Sequence, residues 1–451
     1  MRQFPSNCVP AAAPERLTVA LFVLMMALLL ADQNLMAPNL SAIGTEFGLL
    51  RGEIDKKLGA DINLMFWLLG AAVTLGIGYL TDRNDLSRWL PRKRLLVSLV
   101  AVGQGACLLS GLAHTYTQLY WARVGTAVGL GAAGPVLFSL LGDMFPPSRR
   151  AHALALLNVS CSLGIGAGQL LAGLLGACWG WRAPFLLVGC AGLLLCALYG
   201  RWGSEPRRGA YEPGLQALHE AGIAYEERVR WTDTVALLRT RTNLYSLLGS
   251  LSASVPYAVL VVFLTDYLAQ DRGLTVPQAT LVVMAIGGGG VLGNILSGAL
   301  LQRLVNRAPH RLPIFCGLVT LGLIPLAELF LTCPLRSDSF PHELLLLGLI
   351  TGSVLTLPSA NPMLLSANPP ARRGSIMSLS VLCGDLGRGL GAWLVGTLAA
   401  HVGRTVAFQL AFAFWLPTGI LLLLLAPVFP QEQKSVQEAL RRLAWTNAAA
   451  S

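Results

Sequence analysis

The stretch Phe145-Pro-Pro-Ser-Arg-Arg150 returns later in this chain as Asn368-Pro-Pro-Ala-Arg-Arg373. The separation from Pro146 to Pro369 is 223 residues, and the residues that follow keep the same spacing. The matching pairs are Leu163-Gly164 and Leu386-Gly387, Gly166 and Gly389, Gly168 and Gly391, Gly173 and Gly396, and Phe185 and Phe408. Earlier in each copy, Gly78-Tyr-Leu-Thr-Asp82-Arg83 corresponds to Gly298-Ala-Leu-Leu-Gln302-Arg303. A repeat of about half the chain predicts two equivalent structural halves.

The composition decides what kind of halves these are. Charged residues make up 12% of the 451 residues, hydrophobic residues make up 54%, and the mean hydropathy is +0.61. A soluble globular protein carries roughly 25% charged residues, so this chain is too apolar to cover a water-exposed surface. It is also too rich in large apolar residues for a long disordered protein. The composition therefore predicts a multi-pass membrane protein and argues against a soluble enzyme.

Apolar segments long enough to cross a bilayer, about 20 residues each, occur twelve times. They are residues 17–44, 59–81, 95–113, 118–142, 151–178 and 183–200, then 243–269, 277–302, 312–333, 343–366, 374–400 and 405–429. The predicted fold class is an all-α membrane protein with twelve transmembrane helices in two pseudo-symmetric six-helix bundles. The predicted domains are residues 1–200, a cytoplasmic linker at 201–242, residues 243–430, and a cytoplasmic tail at 431–451.

Basic residues predict the orientation. With both termini in the cytoplasm, the cytoplasmic segments carry 24 of the 33 Lys and Arg residues and the opposite loops carry 7. This asymmetry follows the positive-inside rule, so the net charge of +10 needs no nucleic-acid partner. The nine cysteines form no C-x-x-C pair and the histidines show no metal-ligand spacing, so we expect no cofactor and no metal site.

Taken together, the repeat, the twelve spans and the loop after span 2 resemble the major facilitator superfamily. That loop reads Gly78-Tyr-Leu-Thr-Asp82-Arg83 and then Arg92-Lys93-Arg94, which is similar to the superfamily pattern G-x-x-x-D-R followed by a basic pair. Residues 84–91 are inserted between the two parts. The resemblance implies transport by alternating access, with a substrate site between the two halves near mid-membrane.

Within the superfamily, the first half resembles the spinster-type lipid transporters. Asp32-Gln33 stands where that family has an Asp-Arg pair, and Arg123 with Gly129-Leu-Gly131-Ala132 stands where it has R-x-x-x-G-x-G-E. Gln33 replaces the arginine, and Ala132 replaces the glutamate that the family uses in proton coupling. Gly129 to Gly134 also matches G-x-G-x-x-G, but inside an apolar span this spacing indicates helix packing and not a dinucleotide site.

Four charged residues near the ends of spans are predicted to form a gate. Asp82 ends span 2, where its carboxylate can face the positive N-terminus of span 11. Asp143 lies near the C-terminal end of span 4, where an anion needs a cation, and Arg83 is the candidate. Arg92 belongs to the displaced basic part of the motif. The alternative is that these charges only set topology.

Ionisable residues inside spans are costly and are candidate functional groups. Asp32 lies midway along span 1, beside Gln33 and Asn34, and is the residue predicted to couple transport to protons. Arg123 in span 4 could be its counter-ion or a substrate anchor. Asp385 and Arg388 are three residues apart and share one face of span 11, so they can pair. Arg388 could bind an anionic head group of the substrate, while Asp385 orients that group or responds to protons. Each pair could instead be structural. The second half carries these charges where the first half has Ser162 and Ile165.

The predicted function is therefore a secondary active transporter and not an enzyme. Its expected partners are protons, the lipid bilayer and a small organic solute of amphipathic or anionic character, lysolipids among them. We expect a monomer. The alternatives are a multidrug or organic-anion exporter of the same superfamily and an uncoupled facilitator. No G-x-x-x-x-G-K-[ST] motif occurs, so the chain has no sequence signature for direct use of ATP.

Overall fold

The computed structural model describes residues 13–82, 91–145, 147–204, 237–334, 342–369 and 372–438. Helices dominate these residues, and none of them lies in a β-strand. The α-helices are α1 (Ala13–Gln33), α2 (Leu40–Glu46), α3 (Arg51–Glu53), α4 (Ile62–Asp82), α5 (Arg92–Gly111), α6 (Tyr116–Met144), α7 (Pro147–Trp179), α8 (Arg182–Trp202), α9 (Arg241–Ala258), α10 (Leu264–Gln270), α11 (Val276–Arg307), α12 (Arg311–Thr332), α13 (His342–Leu355), α14 (Asn361–Ser366), α15 (Arg373–Val402), α16 (Arg404–Phe412) and α17 (Trp415–Leu424). Two π-helical segments, Ile54–Asp61 and Val259–Phe263, join α3 to α4 and α9 to α10.

The prediction of an all-helical membrane protein is confirmed. Ten helical stretches among the described residues are long and apolar enough to cross a membrane. They correspond to ten of the twelve predicted spans. Of the other two, the span predicted at 343–366 consists of α13 and α14, and the residues between them include Pro358. Proline removes a backbone donor and interrupts a helix. The last is α15, a 30-residue helix whose sequence includes Asp385 and Arg388.

The chain forms two compact units. Unit 1 contains residues 1–33, 72–168 and 182–226, and unit 2 contains residues 34–71, 169–181 and 227–451. Two pieces of the first half of the sequence, 34–71 and 169–181, thus pack with the second half in unit 2. The domains predicted from the sequence follow its two repeated halves. That division into domains remains a prediction.

Small residues allow the helices of unit 1 to pack closely. A Cβ atom at Gly103 of α5 would lie 2.7 Å from the Cα atom of Gly129 in α6, so only glycine fits at this crossing. Close approach through glycine is typical of helix packing in membranes. The packing role predicted for the Gly129–Gly134 motif agrees with this contact. Around it lies an apolar core that includes Phe22, Leu96 and Tyr199.

The glycines of the sequence repeat make equivalent contacts in the two units. In each unit, two glycines four residues apart lie against a helix whose contacting residues are also four apart. The contacts are Gly164 on Ala27 and Gly168 on Ala31 in unit 1, and Gly387 on Leu251 and Gly391 on Val255 in unit 2. The repeat therefore conserves a packing contact within the chain: α7 on α1 in unit 1, and α15 on α9 in unit 2.

Candidate functional site

The candidate binding site in unit 2 is built around Arg388 of α15. Its Nη1 atom donates to Asp385 Oδ1 at 2.5 Å, as the three-residue spacing on one helix predicts. The guanidinium carbon lies 5.0 Å from the centroid of the Trp67 ring and 5.2 Å from that of Tyr257. Both distances are within the range of cation–π interaction. The Arg388 side chain nevertheless remains 35% exposed.

A glycine of the repeat allows this arrangement. A Cβ atom at Gly389 would lie 2.9 Å from the Cβ atom of Trp67, so a larger residue would push the indole away from α15. Trp67 comes from α4 and Tyr257 from α9. Three helices that are distant in sequence therefore meet at one arginine.

This geometry leaves Arg388 able to bind an anion. Among the described residues, Asp385 is its only hydrogen-bonding partner, and a guanidinium carries five N–H donors. The remaining donors can hold a carboxylate or phosphate of a ligand in a bidentate fashion. The two aromatic rings beside it are half-buried and add apolar surface to the site. The site thus suits an anion that also carries an apolar or aromatic group.

The predicted pair in unit 1, Asp32 and Arg123, forms a buried ion pair. Arg123 Nη1 donates to Asp32 Oδ1 at 2.5 Å, and Nη2 donates to the backbone oxygen of Asp32 at 3.1 Å. The two side chains are 2% and 3% exposed. The guanidinium carbon also lies 5.5 Å from the Phe185 ring centroid. Of the two predicted neighbours, Gln33 is half-buried in unit 1 and Asn34 is buried in unit 2.

We expect Asp32→Asn to lower the free energy of unfolding by about 3–5 kcal/mol, because it leaves the buried Arg123 charge uncompensated. The double variant Asp32→Asn/Arg123→Gln should regain most of this loss, since it leaves no buried charge. Thermal unfolding of the purified variants measures both effects. A single variant as stable as the parent would show that the pair adds nothing to folding.

A second charged cluster was not predicted from the sequence. Arg404, the first residue of α16, contacts three carboxylates and is 5% exposed. It donates Nε to Asp55 Oδ2 (2.9 Å), Nη2 to Asp55 Oδ1 and to Asp266 Oδ2 (2.8 Å each), and Nη1 to Asp271 Oδ2 (3.0 Å). We call these four residues the Arg404 cluster. It joins residues 34–71 of unit 2 to α10, Asp271 and α16.

Two further residues of unit 2 complete the surroundings of the Arg404 cluster. The backbone N–H and the hydroxyl of Ser41 donate to Asp266 at 3.0 and 2.8 Å, and Arg51 pairs with Asp271. The π-helical segment Ile54–Asp61 carries Asp55, and π-helical turns often occur at functional sites. One feature of the sequence could have indicated this cluster. Asp266 lies inside the predicted span 243–269, where an ionisable residue is costly.

The predicted gate is described only in part. The side chains of Asp82 and Asp143, and all of Arg83, lie outside the described residues. Arg92 is 5% exposed and its Nη1 donates to Ser139 Oγ at 2.8 Å. Arg92 therefore holds α5 against α6 within unit 1, and its gating role stays a prediction.

Apolar membrane-spanning helices, a duplicated glycine packing and buried arginine–aspartate pairs define a multi-pass helical membrane protein with interior charge. The profile of the Major Facilitator Superfamily matches residues 22–332, more than half of the chain. The chain belongs to this superfamily of transporters, as the sequence motif indicated.

The relatives and solved structures agree with this assignment. The 3-(3-hydroxy-phenyl)propionate transporter of Escherichia coli is 26% identical over 424 residues, which covers 90% of this chain and 93% of the relative. The multidrug resistance protein Stp of Mycobacterium tuberculosis is 27% identical, covering 75% of this chain and 70% of that protein. An inward-facing structure of a bacterial homologue of the human lysosomal transporter Spinster matches with a TM-score of 0.69 at 17% identity, covering 95% and 99% of the two chains. At this identity the structure shows the fold alone.

Proposed function

We propose that this protein is a secondary transporter that moves small organic anions, aromatic carboxylates foremost, by alternating access and in company with protons. The observation that carries the proposal is the half-buried Arg388 between Trp67 and Tyr257. The E. coli relative, whose name specifies an aromatic carboxylate, supports the same substrate class.

The proposed binding mode follows from the groups around Arg388. The carboxylate of the solute pairs with the guanidinium, while its aromatic ring lies against Trp67 or Tyr257. Aromatic pairs contribute about 0.5–1.5 kcal/mol beyond the burial of apolar area. The arrangement selects solutes in which the ring and the carboxylate are separated by a short chain.

Proton coupling follows from the charges at this site. A bound carboxylate and Asp385 place two negative charges beside the single positive charge of Arg388. Like charges placed close together disfavour joint ionisation, so binding of the anion favours protonation of Asp385. One proton would then accompany one anion. Asp32, the proton-binding residue first predicted, is the alternative.

The Arg404 cluster is the proposed gate of this transport cycle. With the termini in the cytoplasm, as the basic residues predict, the end of unit 2 that carries the cluster faces outside. Within it, the Asp55–Arg404 ion pair connects a segment of the first sequence half to the second half. This pair separates when this side opens and re-forms when it closes.

The test is uptake of radiolabelled 3-(3-hydroxyphenyl)propionate into proteoliposomes that contain the purified protein. We expect accumulation when the outside is more acidic than the inside, and none after a protonophore. Hexanoate should compete poorly, because it has a carboxylate but no ring. Absence of carboxylate uptake combined with proton-driven movement of a cationic dye such as ethidium would replace the proposal by the multidrug alternative.

Trp67→Leu should weaken competition by aromatic acids about 3- to 10-fold and leave competition by hexanoate nearly unchanged, because it removes one aromatic face. Trp393→Leu is the matched control, since Trp393 is on the same helix as Arg388 and is 41% exposed. Inhibition constants against the labelled substrate measure the effect. An equal loss for aromatic and aliphatic acids would contradict the role of the ring.

A further inference from the structure

A cavity of about 520 Å³ lies in unit 1 where α5 begins and α8 ends. It is separate from the charged pairs described above. The described residues that line it are Pro91, Lys93, Arg94, Val97, Ser98 and Gly200. The cavity therefore combines two cations with an apolar wall.

The position of α5 sets the depth of this cavity. The helix Arg92–Gly111 has 20 residues, a length of about 30 Å, which matches the hydrocarbon thickness of a bilayer. Lys93 and Arg94 lie in its first turn and so fall at the level of the lipid headgroups. Trp202 at the end of α8 is 56% exposed, as is typical of tryptophan at the membrane interface.

Among the residues that the structure describes, none pairs an anion with the cations of the cavity. Arg94 is exposed and has no ion pair or side-chain hydrogen bond with the residues that the structure describes. Lys93 is held in place, because its Nζ atom donates to the Gly203 carbonyl oxygen at 2.7 Å and lies 5.8 Å from the Tyr199 ring centroid. Pro91 supplies no side-chain cap to α5, so the positive end of this helix adds to the field.

The apolar side of the cavity remains open because residue 200 is glycine. A Cβ atom there would lie 3.9 Å from Val97 Cγ1, an ordinary contact distance, so glycine is not required for packing. A long side chain at this position would fill space that the cavity now offers. An apolar chain can thus run beside Val97 while an anion contacts Arg94.

We propose that this cavity binds an anionic phospholipid from the adjacent leaflet, with its phosphate at Lys93 and Arg94 and its glycerol and first acyl carbons along Val97 and Gly200. Basic pockets between transmembrane helices bind anionic headgroups in this way. Its lining residues belong to unit 1 and differ from those of the Arg388 site in unit 2.

The experiment measures thermal unfolding of the purified full-length protein in a neutral detergent during titration with phosphatidylglycerol. We expect stabilisation by phosphatidylglycerol, but none by phosphatidylcholine with the same acyl chains and none by inorganic phosphate at equal concentration. Equal stabilisation by phosphatidylcholine would show that the cavity does not distinguish an anionic headgroup from a zwitterionic one. Equal stabilisation by inorganic phosphate would show an anion site with no lipid occupant.

Two variants locate the site. Arg94→Gln should weaken phosphatidylglycerol binding about fivefold, which corresponds to the contribution of one basic residue near an anionic lipid. Arg311→Gln is the control, because Arg311 is an exposed basic residue at the start of α12 in unit 2 and should have no effect. Equal weakening by both variants would overturn the proposal in favour of general surface charge.

Gly200→Leu tests the cavity without changing any charge. We expect it to weaken phosphatidylglycerol binding at least tenfold while the melting temperature of the lipid-free protein stays close to that of the parent. Unchanged phosphatidylglycerol affinity in this variant would place the lipid elsewhere and overturn the assignment.

Discussion

Arg388→Ala should abolish transport of aromatic carboxylates, lowering initial uptake in proteoliposomes at least 100-fold. The reason is that hydrogen bonds to a charged group contribute about 1.5–3 kcal/mol each, and a bidentate pair loses two of them. The loss should be in binding, so the variant should also fail to show ligand-dependent thermal stabilisation. Because Asp385 is only 16% exposed and loses its cation, the melting temperature of the free variant must be measured as well, and Arg388→Lys, which keeps the charge, should melt close to the parent.

Two matched variants separate charge, geometry and coupling. Arg388→Lys keeps the positive charge but loses the planar donor fork, so we expect intermediate binding. Asp385→Asn should still bind and exchange substrate but should no longer accumulate it in response to a pH gradient. If Asp385→Asn accumulates substrate normally and the Asp32→Asn/Arg123→Gln variant does not, Asp32 is the residue that binds the coupled proton. Normal uptake by Arg388→Ala would place the substrate site elsewhere.

Arg404→Gln should have the largest effect on stability. It leaves Asp55, Asp266 and Asp271 together without their shared cation, and breaking a buried ion pair from one side costs about 3–5 kcal/mol. We expect a lower melting temperature and faster hydrogen–deuterium exchange in residues 41–55 and 264–272. Both follow from repulsion among the carboxylates that the guanidinium now holds.

Arg51→Gln is the control for this prediction. Arg51 pairs with Asp271 as well, but its side chain is 62% exposed, and exposed ion pairs contribute at most about 1 kcal/mol. Its melting temperature should therefore stay near that of the parent. If Arg404→Gln and Arg51→Gln have equal effects, the Arg404 cluster is not a stabilising gate.

The local sequence pattern predicted the contact between Asp385 and Arg388, because residues three apart lie on the same face of a helix. Their aromatic surroundings could not be predicted in the same way. Trp67 and Tyr257 lie in other helices, and hydropathy says how long a helix is but not which way it is rotated. The same limit applies to Asp32 and Arg123, whose pairing was one of two alternatives.

The Arg404 cluster shows the limit most clearly. Hydropathy places Arg404 in the loop between spans 11 and 12, and it places Asp55 before the start of span 2. The reason is that charged residues at the ends of a span lower its mean hydropathy. In the structure a π-helical segment carries Asp55, and the guanidinium of a residue 349 positions later binds it. Nothing in the local sequence specifies that partner.

The sequence by itself determined the membrane class, the helical fold and the duplicated halves, because these depend on composition, on segment length and on spacings repeated along the chain. Only the tertiary structure decided which charges are paired, which remain accessible and which aromatic rings surround Arg388. Those properties depend on the rotation, bending and mutual contact of helices far apart in sequence, where small residues such as Gly389 set how closely two helices approach.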